Sequence, residues 1–591
     1  MRASLSSENP DSLLIDWVIL GLVMNDIPEN GAPQKGPFLP LAEAHARLTA
    51  PDAPFEVMEA VIRGIPMTVW KHVPATAREA FEKTRLHGER EFLVYEDQRV
   101  RYDDFTRAVT ALAAHLHRQG VRKGDRIALA MRNLPEWPVV FMAGLLTGAI
   151  MVPLNAWWTA AELAYGLRDC GARFVFADGE RLERLKDLPP SVEKLFAVRC
   201  AGAESCVRLE DIIGAPETWR ELPDLPLPDV VLLPEDDATI FYTSGTSGAP
   251  KGALGTHRAL TTNIFAMPFS NARNALRWGG ETLKPGQQRI TLIAVPFFHV
   301  IGSLSILLPN MAAGGKLVLM RKFDPETAQA LIAREGVMVT GGVPAIALSL
   351  LENPAGHDLT SLRLVTYGGA PSPASLARRI RAQFGAMPGQ GWGMTETSAT
   401  CTTHSGEEFL HHPESCGPVL PVGRLKVMRD GVQAPPGVVG ELWAFGPNIV
   451  KGYWNRPEAT AESFQGGWLK TGDLASLDAE GFCTIADRSH DMVIRGGENI
   501  YCIEVENILA EHPAVADAAL VGLPHPVLGE VPAALVQARR GAAVNAAMLQ
   551  DFARARLAEF KVPVRVVIRE DALPRNEGGK LVKSELRKAF A

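Results

Sequence analysis

Cysteine is scarce in this sequence, and its spacing supports none of the usual structural roles of the residue. The seven cysteines include no Cys-x-x-Cys pair, and their number is odd. Neither a zinc ribbon nor a disulfide framework follows from such a pattern. A reducing, cytoplasmic setting fits it best.

Long hydrophobic runs are also missing. The apolar stretch at residues 13–24 is interrupted by Asp16 and is far shorter than the ~20 residues that a transmembrane helix needs. Glu8 and Asp11 precede it, where a signal peptide would begin with basic residues. We therefore expect residues 1–40 to form an appended helix and a linker, and the sequence leaves a weak peripheral membrane contact open.

The sequence has no basic tail or basic stripe, and it has no internal repeats. Its formal net charge is −7 and its isoelectric point is near 6.1. Nucleic acid is therefore not an expected partner. Small anionic ligands would need local basic sites.

The length and the pattern of apolar segments predict an α/β protein. The chain has 591 residues, of which 47% are hydrophobic and 21% charged, so two or more globular domains are expected. Alternating strand and helix segments predict a parallel sheet covered on both faces. The expected elements are a hairpin at 92–95 and 99–102, helices at 105–119, 137–146 and 325–335, and strands at 126–131, 150–153, 173–177, 291–295 and 316–320. Short glycine-separated strands are expected after about residue 435, and a small α+β unit after Asp487 with helices near 504–512 and 546–560.

The most informative stretch is the segment from Phe241 to Gly252, which follows a β-prone run. It combines three glycines, four hydroxyl side chains and Lys251. Glycines let backbone N–H groups point into one concavity, and hydroxyls and a lysine add donors and charge, a combination that favours a polyphosphate. Lys251 is preceded by Pro250 and followed by Gly252, so this is not a Walker loop, which requires Ser or Thr after the lysine. This chemistry predicts a nucleotide as the ligand.

This loop resembles the phosphate loop of the acyl-adenylate-forming superfamily, which contains acyl-CoA synthetases, adenylation domains of peptide synthetases and beetle luciferases. Further matches follow in chain order, and together they cover about residues 68 to 591. They are the segments 296–302 (Pro-Phe-Phe-His-Val-Ile-Gly), 364–371 (ending in Gly-Gly-Ala-Pro), 389–397 (Gly-Gln-Gly-Trp-Gly-Met-Thr-Glu-Thr), 448–460, 471–474 (Thr-Gly-Asp-Leu), 487–500 and 573–583.

The resemblance implies a nucleotide site built from several of these segments. The aromatic ring of Trp392, where many members have Tyr, would stack on adenine, and Asp473 would accept both ribose hydroxyls. Thr395 would contact the α-phosphate and Arg488 the ribose. The implied ATP- and AMP-binding residues are Thr243, Ser244, Gly245, Thr246, Ser247, Gly248, Lys251, Gly368, Gly369, Ala370, Pro371, Gly391, Trp392, Gly393, Met394, Thr395, Asp473 and Arg488.

Glu396 is the expected magnesium ligand. A nucleotide triphosphate needs a hard cation, and Mg²⁺ takes one or two carboxylates together with phosphate oxygens and water. The resemblance assigns the same role to this glutamate. Gly393 stands where acetate-specific relatives have Trp, which implies a longer acid.

The acyl pocket is expected around His299, which follows two aromatic residues at a strand end. Ligands of open parallel sheets bind at such ends, and the resemblance places this His beside the carboxylate substrate. The apolar lining expected for this pocket is compatible both with the chain of a fatty acid and with the ring of an aryl or cyclic acid. The expected pocket residues are His299, Val300, Ile301, Gly302, Val343 and Gly369.

The last two segments resemble the hinge and the catalytic-lysine loop of the family. Lys580, selected over Lys583 by its Pro-Arg and Gly-Lys frame, would bridge the carboxylate and the α-phosphate. Gly496 and Gly497 would open the pantetheine tunnel to CoA. The hinge residue is His490, where members usually have Lys or Asp, and its charge depends on pH near neutrality.

The resemblance thus implies an α/β fold with a large N-terminal body, which combines parallel or mixed sheets flanked by helices with a small β-barrel-like part, and a small mobile α+β C-terminal domain. The expected divisions are an extension at 1–40, the body at 41–486, the hinge at 487–491 and the C-terminal domain at 492–591. A homodimer is left open.

The implied activity is an ATP-, Mg²⁺- and CoA-dependent acyl-CoA synthetase with Lys580, Thr395, Glu396 and His299 in catalytic roles. A medium- or long-chain fatty acid is the expected substrate. An aryl or cyclic carboxylate is the first alternative, and the others are a stand-alone enzyme that loads a carrier protein and a non-catalytic nucleotide-binding homologue.

Overall fold

The computed structural model describes residues 37–186, 188–200, 206–243, 250–279, 286–369, 372–488, 491–495, 498–576 and 580–590. Among these residues, none of the helices combines the length and the apolar character that a membrane crossing requires.

The helices, in chain order, are α1 (Leu41–Thr49), α2 (Ala77–Thr84), α3 (Tyr102–Arg118), α4 (Glu136–Leu146), α5 (Ala160–Cys170), α6 (Gly179–Leu182), α7 (Glu210–Ile213), α8 (His257–Thr262), α9 (Ala266–Trp278), α10 (Leu308–Ala312), α11 (Pro325–Glu335), α12 (Pro344–Glu352), α13 (Ala374–Phe384), α14 (Gly406–His411), α15 (Pro457–Ser463), α16 (Cys502–Ala510), α17 (Ala546–Arg554) and α18 (Lys583–Lys588). A π-helix, Ile301–Leu307, leads directly into α10.

The strands are β1 (Val57–Ile62), β2 (Ile65–Trp70), β3 (Glu91–Tyr95), β4 (Gln98–Arg101), β5 (Arg126–Ala130), β6 (Ile150–Pro153), β7 (Phe174–Asp178), β8 (Lys194–Val198), β9 (Val207–Arg208), β10 (Asp237–Thr243), β11 (Lys251–Thr256), β12 (Ile290–Ile293), β13 (Lys316–Leu319), β14 (Val339–Gly342), β15 (Leu364–Gly368), β16 (Met387–Trp392), β17 (Thr402–Ser405), β18 (Arg424–Arg429), β19 (Val432–Gln433), β20 (Gly440–Phe445), β21 (Phe464–Gln465), β22 (Trp468–Leu477), β23 (Cys483–Arg488), β24 (Val493–Arg495), β25 (Glu498–Ile500), β26 (Val515–His525), β27 (Gly529–Ala538) and β28 (Arg565–Arg569).

Two large mixed sheets form the body. The first has the strand order β11-β10-β6-β5-β7-β8-β9, and the second has the order β17-β16-β15-β14-β12-β13-β3-β4. Strands β5 to β8 run parallel, as do β12 to β16 and β3 beside β13, while β11, β17 and β4 are antiparallel additions. The α/β class predicted from the sequence is confirmed.

Two smaller sheets follow in the chain. The order β19-β18-β20-β22-β21, with β23 beside β22, is antiparallel and corresponds to the short strands expected after about residue 435. The order β25-β24-β27-β26, with β28 beside β27, forms the sheet of the C-terminal unit. Helices α16 and α17 pack on this sheet, since Val505 and Leu549 share one buried cluster with its strands.

Local sequence signals set several helix ends. Thr159 caps α5 by accepting a hydrogen bond from the Glu162 backbone, and Gly171 ends the helix in the left-handed conformation at a φ of 63°. Helix α4 is apolar on all sides, and all of its residues are buried between the layers. The expected helix at 546–560 is shorter than predicted: it ends at Arg554, and the chain then turns so that Leu557 and Phe560 pack against the domain core.

Two buried histidines, His257 and His404, and the half-buried His45 make the stability of the fold depend on pH. Burial lowers the pKa of His45 and of His404 to about 3, and that of His257 to about 4. These folded-state values lie below the ordinary value of ~6.5, so the unfolded chain binds more protons below that pH. Their contribution to stability is complete above pH ~6.5 and is lost as the pH falls towards 4, by about 1.4 kcal/mol per pH unit for each histidine.

We expect His404→Gln to reduce this loss. The difference in unfolding free energy between the wild type and the variant should shrink between pH 7 and pH 5, because the variant lacks one of the titrating groups. Urea unfolding at several pH values measures the difference, and His411→Gln, at an exposed position, is the matched control. Parallel pH profiles for the wild type and His404→Gln would contradict this prediction.

Candidate active site

A cavity of about 1440 Å³ lies at the carboxyl ends of the parallel strands, and Lys580 of the C-terminal unit is one of the residues that line it. Ends of parallel strands bring residues from distant chain segments together. The cavity gathers most of the described residues that the sequence analysis selected. These are Thr243, Lys251, His299, Val300, Ile301, Val343, Gly368, Gly369, Gly391, Trp392, Gly393, Met394, Thr395, Glu396, Asp473 and Lys580.

The structure describes the two ends of the predicted phosphate loop. Thr243 is the last residue of β10 and pairs with Lys251, the first residue of β11, so the two sides of the loop meet at one point of the sheet edge. The Lys251 ammonium lies 5.0 Å from the centre of the Tyr453 ring. Ser244, Gly245, Thr246, Ser247 and Gly248 lie outside the described residues, so their contact with phosphate stays a prediction.

Glu396 is buried in the cavity wall, and a tyrosine fixes its carboxylate. The Tyr453 hydroxyl donates a hydrogen bond of 2.8 Å to Glu396 Oε1, and the Val450 N–H donates one to the Glu396 carbonyl. One carboxylate beside a phosphate loop is a donor set that fits Mg²⁺, which takes few protein ligands. Tyr453 was missed as a site residue, although it lies in a segment that resembles the family, because its partner is 57 positions away.

Trp392 and Asp473 are joined by a hydrogen bond that the sequence did not predict. The Trp392 indole N–H donates to Asp473 Oδ2 at 2.8 Å, and the Thr471 hydroxyl accepts a bond from the Asp473 N–H. Asp473 also stands opposite Arg488 in the β22–β23 ladder. The residues predicted for adenine and ribose therefore occupy neighbouring positions.

We expect Trp392→Phe to weaken ATP binding. The phenyl ring keeps a stacking surface but cannot hold the Asp473 carboxylate, and a hydrogen bond to a charged group contributes about 1.5–3 kcal/mol. The KM for ATP should rise roughly 10-fold or more with a smaller change in kcat, as measured by pyrophosphate release. Trp219→Phe removes a similar indole donor far from the cavity and should leave this KM unchanged; equal effects of the two variants would refute the assignment.

Close backbone packing accounts for the glycines predicted at the adenine site. A Cβ at Gly368 would lie 2.8 Å from the Gly391 carbonyl oxygen, and Gly369 has a φ of 73°. A Cβ at Gly393 would lie 1.5 Å from the Ala399 carbonyl oxygen. Gly393 does line the cavity, but this contact requires glycine whatever the length of the acid. Ala370 and Pro371 lie outside the described residues.

His299 faces the cavity as a neutral imidazole. Burial, followed by the positive charge of Lys580, lowers its pKa to about 4. Its Nε2 atom is buried and makes no hydrogen bond within the described part of the chain, so a ligand oxygen could supply the partner. Asn133 holds the segment before it by donating to the Val295 carbonyl and accepting from the Phe297 N–H.

Lys580 enters the cavity on a loop that Asn576 closes. The Asn576 side-chain oxygen accepts from the Lys580 N–H at 2.9 Å, and the Asn576 N–H donates to the Lys580 carbonyl at 2.7 Å. Lys580 and His299 line the same cavity, and the positive charge of Lys580 contributes to lowering the pKa of His299. The C-terminal unit is therefore oriented with its predicted catalytic lysine at the acyl end of the cavity.

Lys583 points to the hinge region instead. Its ammonium lies 3.9 Å from Asp491 Oδ2 and 4.0 Å from Glu506 Oε1, and burial raises the pKa of Glu506 to about 7. The Cys502 N–H donates a hydrogen bond to the Asp487 carboxylate, which belongs to the same cluster of charged residues as Lys583, Asp491 and Glu506. The cluster connects the lysine loop to the predicted hinge. His490, Gly496 and Gly497 lie outside the described residues, and their roles stay predictions.

A groove runs from His299 along one face of the second sheet, and we call it the acyl groove. Its floor is formed by residues that share one face of β12, β14, β15 and β16, because they are in register and alternate along the strands. Its roof is the π-helix and the start of α10. The floor residues are Thr291, Val339, Gly341, Leu364, Thr366, Gly368 and Gly391, and the roof residues are Ile301, Ser305, Ile306, Pro309 and Asn310.

The predicted pocket residue Gly302 is placed elsewhere. It is buried against the loop before His299, where a Cβ would lie 2.2 Å from the Pro296 carbonyl oxygen. The prediction that Gly302 lines the pocket is therefore corrected: this glycine allows the π-helix to approach the loop. Along the floor, Leu364 to Gly368 spans four residue steps, or about 13 Å, so the groove has room for an extended acid.

The comparisons with known proteins agree with this geometry. The AMP-binding enzyme family matches residues 80–454, and the AMP-binding enzyme C-terminal domain matches residues 504–580. The chain is 36% identical over 482 residues to a 2-succinylbenzoate–CoA ligase from Geobacillus kaustophilus, covering 81% of this chain and 91% of that one. It is 36% identical over 494 residues to a feruloyl-CoA synthase from an Amycolatopsis species, covering 83% and 94%.

A solved structure with the same architecture is that of o-succinylbenzoate-CoA synthetase from Bacillus subtilis in complex with its acyl-adenylate intermediate. It superposes with a TM-score of 0.70 at 32% identity, covering 86% of this chain and 97% of that chain. As a member of the AMP-binding enzyme family, the protein uses ATP, Mg²⁺ and CoA as the cofactors of its reaction. The chain belongs to the AMP-binding enzyme family and is an acid–thiol ligase of the AMP-forming type.

Proposed function

We propose that this enzyme converts an aryl carboxylic acid into its CoA thioester. The observation that carries the proposal is the acyl groove, a slot with a floor of sheet backbone. Gly341, Gly368 and Gly391 leave three positions of that floor without side chains, so a planar ring can lie against the backbone there, below the π-helix. The two curated relatives described above act on 2-succinylbenzoate and ferulate, which agrees with an aryl acid.

The first step joins the acid to ATP. The carboxylate enters with its oxygens towards His299 and Lys580, and one oxygen attacks the α-phosphorus while the bond to pyrophosphate breaks. Lys580 offsets the charge of two anions as they approach, and Thr395 contacts the α-phosphate. Glu396 would hold the Mg²⁺ that spreads the charge of the triphosphate. No covalent bond to the protein is needed, because positioning and electrostatics suffice for transfer at phosphorus.

The second step exchanges AMP for CoA. The thiol sulfur bonds to the acyl carbon, the bond to the AMP oxygen breaks with its electron pair, and the thiol proton is lost to solvent. We propose that the C-terminal domain rotates about His490 between the steps, which withdraws Lys580 and presents Gly496 and Gly497 to the pantetheine arm. The contacts of Lys583 with Asp491 and Glu506 support a mechanical link between the lysine loop and the hinge.

A medium- or long-chain fatty acid, the substrate expected from the sequence, is the second candidate. The length of the groove, about 13 Å along β15, favours it. Two further alternatives receive less support. A non-catalytic role would leave the joint placement of Lys580, Glu396 and Asp473 in one cavity without a purpose, and a carrier-loading enzyme would need a partner protein in place of CoA. The buried thiols of Cys170, Cys401 and Cys416 support work in a reducing, cytoplasmic setting.

A matched panel of acids tests the proposal. Each aryl acid is paired with its ring-saturated analogue and with a straight-chain acid of similar length, and AMP formation is followed with and without CoA. We expect CoA-dependent turnover with kcat/KM at least about 10-fold higher for the aryl member, since a small change of substrate shape in an apolar pocket is worth about 10-fold or more in kcat/KM. A preference for straight chains would replace the proposal with the second candidate. Adenylate formation without any thioester would favour the carrier-loading alternative.

A further inference from the structure

We propose that Asp169 is a positioning residue that holds both ends of the phosphate loop in place for the β- and γ-phosphates of ATP. The inference goes beyond the proposed function, because it does not depend on which acid is ligated. It rests in one respect on an earlier prediction, that the segment from Thr243 to Lys251 binds a polyphosphate.

Asp169 lies near the carboxyl end of α5, which packs on the first sheet. Leu167 of this helix shares a buried cluster with Ile240 of β10, the strand that leads into the loop. The Asp169 side chain is nearly buried, with an exposed fraction of 8%. A carboxylate in such a place is costly unless donors or cations offset its charge. Both of its oxygens have such partners, and each partner leads to a different end of the loop.

The first partner is Tyr242, which directly precedes Thr243 at the start of the loop. The Tyr242 hydroxyl donates to Asp169 Oδ2 at 2.8 Å. Burial raises the pKa of this hydroxyl, so it stays protonated and remains a donor. The Tyr242 ring also packs edge-on against the Trp158 ring, with 5.6 Å between the ring centres. The carboxylate therefore fixes the side chain at the first end of the loop.

The second partner is Arg456, which extends the contact to the other end of the loop. Arg456 Nη2 donates to Asp169 Oδ1 at 2.8 Å and to the Tyr165 hydroxyl at 3.2 Å. The Tyr165 hydroxyl in turn donates to the Pro250 carbonyl at 2.9 Å, and Pro250 directly precedes Lys251. Because Asp169 orients the guanidinium, it also orients the tyrosine that holds this end of the loop.

The backbone of Asp169 holds the segment that carries Tyr453. The Trp454 indole N–H donates to the Asp169 carbonyl at 3.1 Å, and the Trp454 backbone N–H donates to the Gly252 carbonyl at 2.7 Å. The neighbouring Tyr453 donates to Glu396, the expected magnesium ligand. The contacts of Asp169 thus connect the two ends of the phosphate loop with the residue that orients the metal ligand.

These contacts should matter for ATP and not for AMP. Ordering a glycine-rich sequence around a ligand costs much conformational entropy, and this cost is smaller when both ends of the sequence are already held. The β- and γ-phosphates of ATP gain from an ordered loop, whereas AMP lacks both phosphates. A residue that only stabilises the fold would change the affinities for the two nucleotides equally.

The test compares the dissociation constants of magnesium ATP and of AMP, measured by isothermal titration calorimetry in the absence of any acid. Asp169→Asn keeps the shape of the side chain but removes its charge. We expect the dissociation constant of ATP to rise roughly 10-fold or more, since hydrogen bonds to a charged group are lost, while that of AMP stays at the wild-type value. In pyrophosphate exchange, KM for ATP should rise with a smaller change in kcat, and supplied acyl-AMP should still be converted to thioester.

Three further variants identify the contacts that carry the effect. Tyr165→Phe removes the hydroxyl that holds the second end of the loop and should also weaken ATP binding selectively. Combining Asp169→Asn with Tyr242→Phe should cost less than the sum of the two single changes, because both break the same hydrogen bond. Asp125→Asn is the matched control, since Asp125 is also partly buried and pairs with an arginine, Arg173; it should leave both dissociation constants unchanged.

The outcomes separate this inference from the loop prediction and from the proposed function. If Asp169→Asn binds ATP as the wild type does, or loses affinity for ATP and AMP equally, the inference is overturned. Lys251→Met tests the loop itself: a selective loss of ATP affinity in Lys251→Met alone would keep the loop and reject the role of Asp169. Tyr165→Phe decides the matter if thermal unfolding shows that Asp169→Asn does not fold. The binding measurements contain no acid, so failure of the aryl proposal would leave this inference standing.

Discussion

Lys580→Ala should abolish acyl-adenylate formation and leave the second step largely intact. The Lys580 ammonium is a cation that the C-terminal unit brings into the cavity lined by His299, and its charge contributes to lowering the pKa of His299. Removing a group that offsets charge in the transition state costs roughly 10²- to 10³-fold in rate. ATP–pyrophosphate exchange should fall by at least that factor, while conversion of supplied acyl-AMP and CoA to thioester should change only a few-fold.

Lys588→Ala is the control for this prediction. Lys588 belongs to the next helix of the same unit and is exposed, where it pairs with Glu585. Its removal should affect neither step. Equal loss of both steps in Lys580→Ala would show that the lysine supports the fold of the loop and would contradict its role in adenylation.

Glu396→Gln should produce the second large effect, a loss of adenylation that additional magnesium partly restores. The substitution keeps the shape of the side chain and removes the charge that would hold the cation. We expect roughly a 10²-fold fall in kcat/KM for ATP at limiting Mg²⁺, with an increase in the Mg²⁺ concentration needed for half-maximal activity. A magnesium titration of pyrophosphate release measures both quantities. Glu414→Gln, at an exposed position, is the matched control.

Tyr453→Phe separates the position of the Glu396 carboxylate from its charge. The hydroxyl holds Glu396 Oε1 at 2.8 Å, and its loss leaves the carboxylate charged but less well oriented. The half-maximal Mg²⁺ concentration should rise roughly 10-fold, since a hydrogen bond to a charged group contributes about 1.5–3 kcal/mol. If the magnesium dependence of Tyr453→Phe and of Glu396→Gln matches the wild type, the cation is held elsewhere.

Much of the chemistry of the site could be predicted from the order of residue types along the chain. Glycines, hydroxyls and Lys251 predicted a phosphate loop, and the resemblance of short segments to the acyl-adenylate-forming superfamily selected Trp392, Glu396, Asp473 and Lys580. These segments are local, so their glycine spacing and donor types are visible along the chain. The structure places the described members of this set around one cavity.

The sequence did not reveal which side chains hold these residues in place. The partners lie far apart in the chain: Tyr453 is 57 positions from Glu396, and Asp473 is 81 positions from Trp392. No local pattern marks such pairs, because the contact depends on how β16, β22 and the segment after β20 are arranged in space. The same limit explains the error at Gly302, whose glycine serves backbone packing against Pro296.

The sequence alone predicted a nucleotide site, because charge, hydroxyl and glycine content along short segments favour one whatever their final distances, and the class of reaction followed from the resemblance of the ordered segments to the acyl-adenylate-forming superfamily. It also determined the α/β class, since apolar periodicity decides which segments become strands and which become helices. The tertiary structure decided which residues form the floor of the acyl groove and which residues form its roof. Both depend on the register of β12, β14 and β15, which is set by packing between segments and cannot be read from any one of them.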